Sequence, residues 1–251
     1  MKVYVINLDR HPERLAHMRD QLTNVGFERL AAVDGAKKPE TPKGLTRFEV
    51  ACLESHRIAW RLFLKRSDAH ACFLEDDVHL CPGFGALVDS EGWIPPDAHS
   101  MKLDTYFQEV KLGERRAIFC GREVARLYTR HESSAAYILS REGAERYLEL
   151  TARPVLPADY SLFPRDPRRL GLRVYQLTPA VAVQDHLLRP DGGRQTFPTA
   201  MATGGPGRRR RRLLGKFWRE TVRLVGQVAE LPEAIYLRAS VRPETTTVDF
   251  G

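Results

Sequence analysis

Three consecutive carboxylates, Glu75-Asp76-Asp77, follow the apolar run 71–74. Side chains alternate along a strand, so Glu75 and Asp77 would share a face while Asp76 points away. Adjacent carboxylates raise one another's pKa unless a cation neutralises them. Two oxygens on one face suit Mn²⁺ or Mg²⁺, and such an ion typically bridges diphosphate oxygens. The competing reading is a solvated strand end that opens a loop.

Other residues could serve an anionic substrate. Asn7-Leu8-Asp9-Arg10 and Arg14 stand where a first strand passes into a helix. A helix N-terminus favours anions there, and the two arginines could contact phosphates. The same residues also suit a capped helix with surface arginines. No glycine-rich phosphate loop follows, which argues against a dinucleotide site or a P-loop. Asp34-Gly35 is a turn by type, in a place where an Asp could also hydrogen-bond a base or ribose. His56 lies on an apolar helical face and reads either as a core histidine or as a site residue. Asp159, in a loop stiffened by Pro154 and Pro157, is a candidate general base or a turn cap. His186 is a candidate metal ligand or a loop residue.

These residues need elements to hold them. Val3 to Leu8 is short, apolar and rich in branched residues, as a buried parallel strand should be. Pro12 suits a helix start, and Leu15, Met18, Leu22 and Val25 repeat at helical spacing before Gly26. Phe27 to Val33 is the next strand. Strand-helix-strand order implies a right-handed crossover and a mostly parallel sheet. Residues 36–44 are polar with two prolines and read as a loop. Thr46-Arg47-Phe48-Glu49 has the capping-box pattern, and its helix runs to about Lys65. Residues 81–100 look irregular. Met101 to Val110 and Arg115 to Cys120 are weaker strand candidates. Ala135 to Leu139 is a clear strand, followed by a helix that Ser140 caps. Leu172 to Leu177 and Ala180 to Val183 are further strand candidates.

Composition narrows the class. The chain has 251 residues, 43% hydrophobic and 28% charged, enough for one α/β domain with a short appendage. The net charge of +7 favours anionic partners, but the run Arg208 to Arg212 carries much of the surplus. Cys52, Cys72, Cys81 and Cys120 form no C-x-x-C pair, and a reducing compartment is the simpler expectation. The first apolar run is too short for a signal peptide or a spanning helix. The expected location is therefore cytoplasmic, with peripheral attachment to the inner face of a membrane still open. Residues 190–212 read as a Gly/Arg-rich linker. Residues 213–251 read as a basic helical tail, amphipathic through Leu214, Phe217, Trp218, Val225 and Val228 and frayed from Arg242. Peripheral contact of 208–228 with an anionic membrane is one expectation, and a helix docked on the domain is the other.

Several ordered motifs together resemble glycosyltransferase family 25, which includes lipooligosaccharide and collagen galactosyltransferases. They are VYVINLDRHPERL at the start, AVDG at 32–35, LTRFEVACLESHRIAW at 45–60 and FLEDDV at 73–78. MKLDTY at 101–106, SSAAYILSREGAERYL at 133–148, PADYSLF at 157–163 and PAVAVQD at 179–185 follow. The resemblance spans about Val3 to His186. It implies a GT-A-like domain over 1–189 and inverting, metal-dependent transfer of a hexose, often galactose from UDP-galactose, to a glycan or glycolipid acceptor. It casts Glu75, Asp76 and Asp77 as a D-x-D-type metal site for Mn²⁺ or Mg²⁺, with His186 as a further ligand by fold analogy. Asn7, Leu8, Arg10, Arg14, Asp34 and Gly35 would line the nucleotide-sugar pocket. His56, Lys102 and Asp104 would face donor or acceptor, and Asp159 would be the base. Glu75 departs from a strict D-x-D, and Asp104 stands where Glu is more usual. Two other classes use some of the same features. A metal-dependent nucleotidyl or phosphoryl transferase would employ the same carboxylates. A nucleic-acid-binding protein would employ the arginine run, but no interleaved aromatics or reader motif accompany it.

Overall fold

A computed structural model describes residues 1–40, 44–188, 197 and 243–251. Its centre is a nine-stranded sheet flanked by helices. β1 (Lys2–Asn7) pairs in parallel with β2 (Phe27–Ala31) on one side and β3 (His70–Glu75) on the other. α1 (Pro12–Gln21), with Pro12 in its first turn, makes the crossover from β1 to β2. α2 (Arg47–Leu64) makes the crossover to β3. It begins in a complete capping box, in which Thr46 Oγ1 accepts from the Glu49 amide and Glu49 accepts from the Thr46 amide.

β4 (Val78–Leu80) and α3 (Phe84–Asp89) come next. β5 (Ser100–Lys102), β6 (Asp104–Thr105), β7 (Glu109–Ala117), β8 (Glu123–Leu127) and β9 (Ala136–Ser140) follow. α4 (Arg141–Leu150), capped by Ser140, and the short α5 (Ala158–Leu162) precede β10 (Val174–Thr178), β11 (Ala182–Gln184) and β12 (Glu244–Thr247). The large sheet runs β12-β7-β8-β10-β5-β9-β3-β1-β2, and β4-β11-β6 form a separate three-stranded sheet.

The expected mostly parallel sheet is corrected to a mixed one. In the nine-stranded sheet only β1–β2, β1–β3 and β5–β10 pair in parallel, while β9 inserts antiparallel between β3 and β5. β7 and β8 make an antiparallel hairpin, which needs only a tight connection where a parallel pair would need a crossover. The frayed end expected from Arg242 is also corrected. Glu244–Thr247 pairs with β7, and the Ala180 amide donates to the Asp249 carbonyl at 2.7 Å. The irregular stretch expected at 81–100 contains α3, whose Phe84, Leu87 and Val88 are buried. The linker boundaries, the arginine run and the amphipathic stretch 214–228 lie outside the described residues. Among those described, no helix is long and apolar enough to cross a membrane.

Alternation along the strands divides the core into two layers. Tyr4, Phe73 and Tyr137 face Trp60, Phe63 and Tyr147 of α2 and α4. Val5, Cys72, Leu74 and Ile138 face Met18, Leu22, Phe84 and Leu87 on the opposite side. Both faces being covered explains why β1 and β3 read as unbroken apolar runs.

Register then decides what meets at one edge. Ile6 lies opposite Glu75 and Asn7 opposite Ala31, so β1 and β3 end together. Leu74 pairs with Ala136, which brings 133–135 beside the end of β3. Lys102 ends β5 opposite Tyr137, and Gln176 of β10 lies opposite Lys102. In the small sheet Gln184 pairs with Val78, so β11 delivers Gln184 to the residues just after β3.

Candidate active site

At this edge β3 ends at Glu75 and Asp76-Asp77 form the turn before β4, so the split among the three carboxylates comes from the turn and not from strand alternation. Asp76 turns toward β1 and α1, where it accepts from Asn7 Nδ2 at 2.8 Å and Arg14 Nη1 at 2.8 Å. Glu75 and Asp77 turn the other way, toward Gln184, whose Nε2 lies 3.5 Å from Glu75 Oε2 and 3.3 Å from Asp77 Oδ1. Glu75 Oε1 also accepts from Ser134 Oγ at 2.9 Å and lies 3.3 Å from His56 Nε2. Arg14 Nη1 is 3.4 Å from Asp77 Oδ2. Among the described residues, Arg14 is the only arginine or lysine in ion-pair contact with these acids.

Three carboxylates and one guanidinium leave a negative surplus, and it settles on Asp77. Burial and the charge of Glu75 push the Asp77 carboxyl up to about 7, against the pull of Arg14. Burial also pushes Glu75 upward, but His56, Ser134 and Arg14 outweigh it and hold its pKa below the ordinary value. Burial opposes the charge of Arg14, yet Asp76 and Asp77 keep that guanidinium more firmly protonated than usual.

Glu75 and Asp77 are the acids of this edge that could hold a hard cation. Both are oxygen ligands, and Asp77 lacks a full counter-charge. Asp76 is committed instead to Asn7 and Arg14. His186 sits in the 3-10 turn Asp185–Leu187, half-buried, with its ring 6.1 Å from Tyr106. Burial lowers its pKa against the pull of Asp185 and Glu75, and among the described residues no trio that includes His186 has its ligand atoms within 4.8 Å of one another.

The other expected residues separate into three groups. Arg10 is exposed and pairs with Asp34, whose Oδ1 also caps the Ala36 amide at 2.8 Å. The Arg10 hydrogen bond holds the Asp34 carboxyl below its usual range. Gly35 follows because a Cβ there would lie 2.7 Å from Phe48 Cδ1 and 2.9 Å from Phe48 Cα. The Leu8 carbonyl accepts from the His11 amide at 2.9 Å and turns the chain into α1. Asn7, Leu8, Arg10, Asp34 and Gly35 thus lie at the β1–β2 end of the edge, with Arg14 inside it.

Lys102 and Asp104 form a second group. Both are fully buried, and Lys102 Nζ donates to Asp104 Oδ1 at 2.8 Å and to the Ser133 carbonyl at 2.6 Å. The ammonium also lies 4.5 Å from the centre of the Phe163 ring. Burial lowers the lysine pKa and raises the aspartate's, each opposed by the charge of the other.

Asp159 stands apart from both. It is half-buried in the first turn of α5 rather than on a free loop. Burial raises its pKa, while the Tyr160 amide and the charge of Lys102 pull it back. A carboxylate with a raised pKa is a better proton acceptor.

His56 is locked from behind. Trp60 Nε1 donates to the Tyr137 hydroxyl at 2.8 Å, and that oxygen lies 2.7 Å from His56 Nδ1. Residue type alone does not single out Ser134, Tyr137 and Gln184, although all three fall within the motifs SSAAYIL and PAVAVQD.

The family model described as "Glycosyltransferase family 25 (LPS biosynthesis protein)" matches residues 1–162. The "Lacto-N-neotetraose biosynthesis glycosyltransferase LgtB" of Neisseria meningitidis serogroup A is 27% identical over 74% of this chain and 75% of that protein. The "Lipooligosaccharide biosynthesis protein lic2B" of Haemophilus influenzae is 23% identical over 74% of this chain and 77% of that protein. A solved structure of a glycosyltransferase involved in glycosylation of the major capsid of PBCV-1 aligns with a TM-score of 0.44 and 8% identity. That alignment covers 73% of this chain and 93% of the other.

Proposed function

The chain belongs to glycosyltransferase family 25, and from that membership we propose that it transfers galactose from UDP-galactose to a lipopolysaccharide or lipooligosaccharide acceptor, with inversion, in a GT-A-like fold. The names of its relatives in lacto-N-neotetraose and lipooligosaccharide biosynthesis support the acceptor class. The observation that carries the reading is the uncompensated negative charge at the strand edge, with Asp77 pushed up to about 7. A partly buried acid that keeps a proton for want of a counter-charge is suited to receive a cation in its place.

Glu75 and Asp77 would hold Mn²⁺ or Mg²⁺, with His186 as a further ligand by fold analogy, and the ion would supply positive charge to a departing diphosphate. The chain's own residues do the rest. Asp76 braces the strand end against Asn7 and Arg14. Arg10 and Asp34 receive the nucleotide at the β1–β2 end, where Asp34 can accept from a base or ribose. Gln184 and Ser134 hold the two ligating carboxylates in place. Asp159 accepts the acceptor hydroxyl proton as the acceptor oxygen bonds to the anomeric carbon. The bond from that carbon to the diphosphate oxygen breaks, and its electron pair leaves with UDP.

A screen of UDP-, GDP- and CMP-sugars with a lipooligosaccharide acceptor, with and without Mn²⁺, tests this. The expected result is a β-galactoside made from UDP-galactose only when the metal is present. Pyrophosphate release or nucleotide exchange without any glycoside would replace the reading with a nucleotidyl transferase.

A further inference from the structure

A second donor set lies beside the carboxylate edge, and its chemistry differs from that of the first. The ligand atoms of Cys52, His56 and Glu75 all lie within 4.8 Å of one another. Among the described residues no other set of three His, Cys, Asp or Glu side chains meets that spacing. Cys52 and His56 are one turn apart on α2, so both project to the same side, and Glu75 comes from the end of β3. The ligand atoms of a tetrahedral zinc site stand roughly 3.3–3.8 Å apart, so a contraction of about 1 Å closes the set.

We propose that Cys52, His56 and Glu75 form a thiolate site for a zinc-class cation, and that its occupation withdraws Glu75 from the donor-binding edge. The sulfur and imidazole select this class, because Mg²⁺ and Mn²⁺ prefer sites built from oxygen. The imidazole is already oriented as a ligand would be. Its Nδ1 side is held by Tyr137, itself held by Trp60, and its Nε2 faces Glu75. With the ion on Nε2, Nδ1–H donates to the Tyr137 oxygen.

Charge also balances. One thiolate, one carboxylate and a neutral imidazole offset a divalent ion, and binding sends the Cys52 proton to bulk water. In the metal-free protein, burial and the charges of Glu75, Asp159, Asp77 and Glu49 push the Cys52 thiol well above its usual range, so it is the ion that displaces the proton, and the same acids attract that ion. Cys52 is only half-buried, which gives the ion a way in and leaves a fourth position for water. The effect on turnover rests on the transferase reading above, whereas the site itself does not.

Co²⁺ is the probe, added at one equivalent to the reduced full chain carrying Cys120→Ser, which removes the exposed thiol. A thiolate-to-cobalt charge-transfer absorption should appear, bleach on addition of Zn²⁺, and persist in Asp77→Asn. It should vanish in both Cys52→Ser and Cys52→Val, each checked for an unchanged melting transition. No absorption in the parent chain, or absorption that survives both Cys52 variants, would overturn the site. In the Mn²⁺-supported transfer assay, Zn²⁺ should inhibit the parent, and Cys52→Ser should transfer at the parental rate yet need at least tenfold more Zn²⁺ for the same inhibition. A zinc-loaded chain that transfers at the full rate would overturn the competition with Glu75. Loss of transfer without added zinc bears on the transferase reading alone, because the absorption is measured without substrate.

Discussion

Two buried acid clusters sit near the ends of β3 and β5, and their charge is met differently. Asp104 has a lysine of its own, held at 2.8 Å with both side chains out of solvent. Glu75, Asp76 and Asp77 share one arginine, and the shortfall appears at Asp77. The first arrangement is closed in charge, although Asp104 Oδ2 is buried without a hydrogen-bond partner among the described residues, and the second is open. A closed pair stabilises only while it is intact, because its desolvation has already been offset by its partner. An open cluster costs stability in the free protein and is suited to receive an ion. The contrast teaches which acids to assign to chemistry, although both lie in motifs of the same family.

The comparison can be broken most forcefully at Lys102. Lys102→Met should destabilise the fold by roughly 3–5 kcal/mol, because Asp104 would remain buried without its partner. Denaturant unfolding reads this, and the double variant Lys102→Met, Asp104→Leu should recover most of the loss. Full stability of the single variant would show that the pair is not closed.

Asp159 sharpens the comparison from the side of turnover. Asp159→Asn should lower kcat about 10²–10⁴-fold while leaving the donor KM nearly unchanged. Transfer by the parent should rise with pH through a pKa above the ordinary aspartate range, since burial raises this carboxyl. The variant should lose that limb of the profile.

The smallest effect concerns the open cluster itself. A folded-state pKa of about 7, above the ordinary 3.8, means that the folded protein holds a proton the unfolded chain releases. Stability of the metal-free protein should therefore fall as pH rises from about 4 toward 7. Asp77→Asn, which mimics the neutral acid, should be more stable than the parent at pH 8 by on the order of 2 kcal/mol. The difference should shrink by pH 5, and thermal melts in chelator at the two pH values measure it.

Local chemistry made part of this arrangement readable before the fold. The β1 run, Pro12 at the start of α1, the Thr46–Glu49 box and the apolar stretch before Glu75 each carry a short-range signal. Strand alternation anticipated that Asp76 would part from Glu75 and Asp77, but the turn at 76–77 makes that separation, and Arg14 touches both Asp76 and Asp77. What could not be read depends on distant pairing. β9 inserts antiparallel beside β3, and nothing local in 136–140 sets its direction. β8 is only five residues long and carries Glu123 and Arg126 among its buried Val124, Ala125 and Leu127, too short a pattern to stand out, and β12 becomes a strand where β7 offers it an edge. The partners that define the site are equally remote: Arg14 for Asp76, Gln184 for Asp77 and Lys102 for the Ser133 carbonyl. Burial of Lys102 and Asp104 was invisible for the same reason, because charge alone suggests an exposed surface.

UDP binding measured by titration calorimetry, with and without Mn²⁺, in the parent and in Asp77→Ala tests the open cluster most directly. Mn²⁺ should tighten UDP binding to the parent at least tenfold and leave the affinity of Asp77→Ala unchanged, with both proteins folded. Equal tightening in the two proteins would mean that the acids after β3 do not carry the ion.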